Sequence, residues 1–158
     1  MASNVYTSGV EKCTNGTLTY LSSTWKMMLL GTGTVYTPNV DHDFVDMSGA
    51  NDPIDSEIST TNYTGGFGGG GRKALASKTI TTVDGSDRVE FSSAAFTWTA
   101  LGPASAGPTV AAGLIVNELT NDAASALLAY CDFTDTQVNS GDFTVTPGTG
   151  GWFYITTV

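Results

Sequence analysis

Apolar and polar residues alternate in short runs along this chain, and turn residues close nearly every run. Thr79-Ile80-Thr81-Thr82-Val83 leads into Asp84-Gly85-Ser86-Asp87, and Arg88-Val89-Glu90-Phe91 returns. Asp-Gly between alternating runs is a strong hairpin signal. Val89 and Phe91 should face a core there, with Arg88 and Glu90 in water. Phe96-Thr97-Trp98-Thr99 and Asp142-Phe143-Thr144-Val145-Thr146 alternate in the same way, and Trp152-Phe153-Tyr154-Ile155 follows the Pro147-Gly148 turn. Near the start, residues 17–21 and 25–30 flank Ser22-Ser23 and read as another hairpin. Residues 111–119 are ambiguous between helix and strand, and Gly113-Leu114-Ile115-Val116 decides for a buried strand. Residues 126–133 supply a second apolar strand. Residues 36–62 are polar and irregular. Within them Phe44, Val45 and Met47 form either a short edge strand or one helical turn capped by Asp41 or Asp43.

Roughly eight to ten short strands with regular turns predict a sandwich or barrel. The expected fold is one all-β domain over residues 1–158, an antiparallel β-sandwich of jelly-roll type, with a glycine-rich loop at 63–72. Its predicted core is Leu18, Trp25, Met27, Leu29, Val89, Phe91, Trp98, Leu114, Val116, Leu128, Tyr130, Phe143, Phe153 and Ile155, which share inward faces if the alternation holds.

Composition supports this picture. The 25 threonines suit a pleated surface and the 19 glycines suit turns. A chain of 158 residues buries roughly 70% of its unfolded surface, enough for a core without staples. The net charge of −9 argues against a nucleic-acid groove and against docking on anionic lipid. Cys13 and Cys131 are too few for a disulfide framework, and Cys131 sits in an apolar run that suits a buried thiol. No charged-then-apolar leader opens the sequence and no apolar run approaches a membrane span, so synthesis in the cytosol is expected.

Little of the chain reads as reactive. The run Tyr63-Thr64-Gly65-Gly66-Phe67-Gly68-Gly69-Gly70-Gly71 lacks the Lys-Ser/Thr pair that completes a phosphate loop. Asp41 and Asp43 flank His42, the lone histidine, and share a face if extended. A cation such as Ca²⁺ is one reading of them; an exposed turn bonding its own amides is the other. His42 is the single usual base for a serine hydrolase, and Ser105, though followed by Gly107, has Pro103 where a nucleophile elbow has its first glycine. No catalytic residue, metal or cofactor is therefore assigned, and an enzyme is not expected. Trp25, Trp98 and Trp152 lie in alternating or apolar runs, which favours a core role over stacking on sugars. Asn15-Gly16-Thr17 and Asn62-Tyr63-Thr64 match the glycosylation pattern by chance in a chain with no leader.

Several segments, taken in order, resemble small structural proteins encoded by tailed bacteriophages. They are Gly16-Thr-Leu-Thr-Tyr-Leu21 with residues 25–30, and Tyr36-Thr-Pro38 with Asp41-His-Asp-Phe44. Then come Val83-Asp-Gly-Ser-Asp-Arg-Val-Glu-Phe91 with Phe96-Thr-Trp98, and Leu128-Ala-Tyr-Cys-Asp-Phe133. Gly141-Asp-Phe-Thr-Val145 with residues 151–155 completes the set. The resemblance implies a virion component, made in the host cytoplasm and displayed as a decoration or cement protein on the outer capsid. Its partners would be the major capsid protein and copies of itself, as a homo-oligomer on the particle. A neck, tail or fibre component is the alternative within that class, and a carbohydrate-binding β-sandwich module is the alternative outside it.

The glycine run at 65–71 and the loop at 102–108 depart from the family pattern. Ordering six glycines among nine residues is entropically costly. The run therefore suits a segment that stays mobile or orders against a partner, with Phe67 as an apolar anchor. Tyr63, Phe67 and Arg72 are the expected contact residues.

Overall fold

A computed structural model describes residues 3–33, 36–49 and 51–156. The described chain is 42% strand and 12% helix. That helix share lies far below the roughly one third typical of globular proteins, so the all-β expectation holds.

The centre of the molecule is an antiparallel sheet of five strands. They are β1 (Ser3–Val5), β2 (Trp25–Gly31), β3 (Lys73–Ala74), β7 (Thr109–Asn117) and β8 (Ala126–Gln137), in spatial order β1-β8-β7-β2-β3. The run Trp-Lys-Met-Met-Leu-Leu-Gly of β2 is almost continuously apolar because both faces of this sheet are covered. Met27 and Leu29 face one core with Ile115 and Leu128. Met28 and Leu30 face a second core with Leu114, Val116 and Leu127.

Two smaller sheets close the first face. β4 (Thr79–Val83), β5 (Arg88–Ser92) and β10 (Phe153–Thr156) pair in the order β10-β5-β4. β6 (Phe96–Leu101) pairs with β9 (Gly141–Val145). Together they deliver Trp98, Leu101, Val145 and Phe153 to a core that also holds Trp25 and Trp152. The result is a sandwich-like single domain. Its strands divide five, three and two.

The second face is covered by what the sequence presents as irregular. Tyr6, Tyr36 and Val45 are buried against it, with Ile54 from the one-turn helix α2 (Pro53–Ser56). Phe44 makes a single bridge to Ala126, so residues 44–47 are neither an edge strand nor a helical turn. The buried Asp52 carboxylate ties the covering segment together by accepting from the amides of Met47 and Gly49.

One local expectation changes, and a further element was not anticipated. Residues 17–21 form turns, not a strand; Leu18 and Tyr20 are buried anchors, and the Tyr20 hydroxyl donates to the Ser92 carbonyl at 2.8 Å. Upstream lies a helix, α1 (Thr7–Thr14). Its Thr, Ser and Gly are poor helix formers, so packing on β8 overrides propensity. A Cβ at Gly9 would sit 2.2 Å from the Leu127 carbonyl oxygen, so glycine sets how closely α1 lies on the sheet.

The other predicted strands form, including 109–117 and the 79–92 hairpin, and the short strands Ser3–Val5 and Lys73–Ala74 are additional to them. Nine of the fourteen predicted core residues are buried, Val89, Phe91, Tyr130 and Phe143 are half-buried, and Ile155 is exposed. All three tryptophans are core residues. No disulfide joins Cys13 to Cys131, and Cys131 is buried.

Candidate partner interface

The glycine run folds onto its own chain. Thr60 and Tyr63 exchange backbone hydrogen bonds across a tight turn. The Gly71 amide then donates to the Thr64 carbonyl, and the Gly71 carbonyl accepts from the Trp98 indole at 2.7 Å. The glycines are needed in place. Gly66, Gly68 and Gly70 have positive φ. Gly71 passes flat against Tyr63, where a Cβ would lie 2.6 Å from the ring.

Beneath this loop lies a buried ionic cluster. The Arg72 guanidinium donates to both carboxylate oxygens of Glu57, through Nε at 2.9 Å and Nη2 at 2.7 Å. Its Nη1 donates to Asp122 at 2.6 Å and to Glu118 at 3.2 Å. Lys26 pairs with Glu118 on the outer side. The Arg72 and Glu57 side chains are 1% and 2% exposed. Burial alone would push the guanidinium pKa down, but the hydrogen bonds to Glu57 and Asp122 outweigh it and raise it.

The carboxylates also hold the loop. Glu57 accepts from the Gly66 amide at 2.8 Å, and Asp122 accepts from the Phe67 amide at 3.0 Å. Tyr63 completes the network: its hydroxyl donates to Glu57 and accepts from the Leu29 amide, both at 2.9 Å. Burial, reinforced by the Glu57 charge, raises the Tyr63 pKa well above its ordinary value. Charge-assisted bonds of this kind are the strong ones, and they offset the entropy of ordering the glycines.

Of the three expected contact residues, the structure brings Tyr63 and Arg72 together inside the domain. Both are buried, so neither side chain is displayed for a partner. Phe67 stands apart at the loop tip, 43% exposed. A run of glycines does not announce a buried arginine. The signal that was present is Arg72 itself, a cation following a bare apolar-poor loop, with Glu57, Glu118 and Asp122 remote in sequence.

The other exposed large apolar residues include Ile80, Tyr154 and Ile155, all on the β4-β5-β10 sheet. Ile80 and Ile155 border an apolar groove of about 270 Å³ between that sheet and α1, floored by Tyr20, Phe91 and Phe153. A concavity of about 640 Å³ runs along residues 148–154, with Arg88 among the residues lining it. Arg88 is paired with Glu90. In the 41–43 segment, the Asp41 amide is held by the Asn39 side chain and the Asp43 carbonyl receives the Leu127 amide. His42 shares a hydrogen bond with the Tyr36 hydroxyl at 2.8 Å, and Tyr36 in turn with Tyr6. Among the described residues no three His, Cys, Asp or Glu side chains group in a way that would hold a metal ion, and no helix is long and apolar enough to cross a membrane. Comparison with protein-family models, with curated proteins and with solved structures returned no match.

Proposed function

We propose that this chain is a virion structural protein, a decoration or cement protein on the outer surface of a tailed-phage head. One observation carries the reading: the buried Arg72–Glu57–Asp122 cluster is turned inward and consumed in holding a loop, while the surface offers apolar residues. Phe67, Ile80, Tyr154 and Ile155 are exposed anchors on a stiff frame. Such a surface supports a binding role, and no catalytic role is assigned to any side chain. The phage class comes from the ordered segment resemblance, and the charge of −9 suits an outer shell better than a DNA-facing lumen. The partners in this reading are the major capsid protein and further copies of the chain. Display in many copies multiplies weak contacts into stable attachment.

The test is stoichiometry and rebinding. Purified particles should carry the chain in many copies per head, and stripped heads should take it back and resist heat better once they do. A few copies per particle would place it in the neck, tail or fibre instead. Failure to bind heads or any other part of the particle would end the reading.

A further inference from the structure

The three-stranded sheet ends on an edge with none of the usual protection. β4 reads Thr-Ile-Thr-Thr-Val, with no charge and no proline within it, and it pairs with β5 in unbroken register from Thr79↔Ser92 to Val83↔Arg88. Natural edge strands are normally blunted by a lysine, a proline or a bulge.

The direction of its free groups follows from β5. The Trp152 amide donates to the Phe91 carbonyl at 2.8 Å, so the backbone groups of Phe91 face β10. Backbone groups alternate sides along a strand. Glu90 and Ser92 therefore face β4, and Thr81 and Thr79 face back to them. The amides and carbonyls of Ile80 and Thr82 point out of the sheet. Among the described residues no hydrogen bond outside the ladder reaches residues 79–83.

We propose that β4 is a self-association edge, through which two copies pair antiparallel about a two-fold axis at Thr81. The three-stranded sheets then join into one continuous sheet. What selects a second copy as the occupant is charge. In this register Ile80 faces the partner's Thr82, and Thr79 faces the partner's Val83. Lys78 then faces the partner's Asp84, and Asp84 the partner's Lys78. Lys78 immediately precedes β4 and Asp84 opens the 3-10 turn directly after it, so opposite charges are brought near each other at both ends of a strand that carries none in between. Lys78 donates one bond to the Ser23 carbonyl, and an ammonium has donors to spare. Ile80, exposed in the single chain, is covered across the pair. The pairing does not rest on the virion reading and is tested without a particle.

The register makes a specific geometric statement. Because Ile80 and Thr82 make the outward bonds, Thr81 meets the partner's Thr81 as a non-hydrogen-bonded pair, with Cα atoms about 4.5 Å apart. That spacing accepts a disulfide. Thr81→Cys should therefore link into a covalent dimer under mild oxidation. Thr79→Cys should not, because its own counterpart lies several residues away across the axis. The unaltered chain, with Cys13 and Cys131, sets the background. In sedimentation, Asp84→Lys should weaken the dimer roughly tenfold by opposing like charges. Adding Lys78→Asp to it should restore association. A chain that stays monomeric at every concentration, with Thr81→Cys unlinked, overturns the proposal. So does equal linking of Thr79→Cys and Thr81→Cys, and so does a dimer indifferent to Asp84→Lys, since each points to another surface. Pairing of β4 only with a capsid-protein strand would also overturn it.

Discussion

The glycine loop at 63–72 and the β4–β5 hairpin invert what their sequences suggest. The loop has the composition of a flexible tether, yet its glycines pass over a buried guanidinium and two carboxylates that bind its backbone amides. The hairpin has the composition of a finished structural unit, yet it leaves one strand's hydrogen bonds open. Order in the first comes from a few charge-assisted bonds to a largely buried ionic cluster; order in the second comes from a repeating ladder that stops at an edge. Glycine content therefore measures conformational cost, not mobility. What decides is whether something nearby repays that cost.

The deepest break in the comparison is Arg72. Arg72→Met removes the one group that neutralises Glu57 and Asp122 and leaves their charge buried. Breaking a buried ionic cluster in this way costs about 3–5 kcal/mol. Denaturant unfolding should show that loss, and Arg72→Lys should recover only part of it, because a point charge cannot bridge Glu57 bidentately. A loss below about 1 kcal/mol, the scale of an exposed ion pair, would mean the cluster is far wetter than its burial indicates.

A matched pair of glycine substitutions comes next. Gly71→Ala forces a methyl into the Tyr63 ring, whereas a Cβ at Gly85 in the hairpin turn meets nothing within 4 Å. The first should cost about 1–3 kcal/mol as overpacking. The second should stay within about 0.5 kcal/mol. Equal effects would mean that the loop yields as easily as the turn.

Much of the frame was legible because period-two patterning survives in any strand with one wet face. The 79–92 hairpin, Trp98 and the 109–117 strand were read on that signal. Ile155 was misread by the same signal, since alternation gives a residue's face and not whether anything packs on it. Residues 17–21 looked like a strand because Leu18 and Tyr20 are two apart, but both are turn anchors that reach the core separately. The helix at Thr7–Thr14 was invisible for want of good helix formers. The ionic cluster was hidden for a different reason. Its members stand on segments that only tertiary folding brings together, and no local pattern encodes such a meeting.

Phe67 is where the loop and a partner would meet. Phe67→Ala should weaken association with the particle by about 2 kcal/mol, as truncating an aromatic anchor does. The isolated fold should change by less than about 0.5 kcal/mol, because the side chain is exposed at the loop tip and belongs to neither core. Competition of mutant and native chain for stripped heads measures the first, and denaturant unfolding the second. Equal occupancy would remove Phe67 from the interface. It would also confine the loop's role to its own domain, since Tyr63 and Arg72 are already committed inside.

The smallest effect on stability is expected at Thr81, and it sharpens the contrast most. Thr81 is exposed on the outer strand, so Thr81→Lys should leave the unfolding midpoint within about 0.5 kcal/mol of the native chain. Hydrogen exchange then separates the two regions residue by residue. The Gly66 and Phe67 amides, held by Glu57 and Asp122, should be protected in native and Thr81→Lys chains alike. The Ile80 and Thr82 amides should exchange fast at low concentration and slow as copies pair, and Thr81→Lys should abolish the slowing, because two lysines would then face each other across the axis. Protection at Ile80 and Thr82 that is independent of concentration would show that the edge is closed within one chain, and the contrast between the two regions would fail on that point.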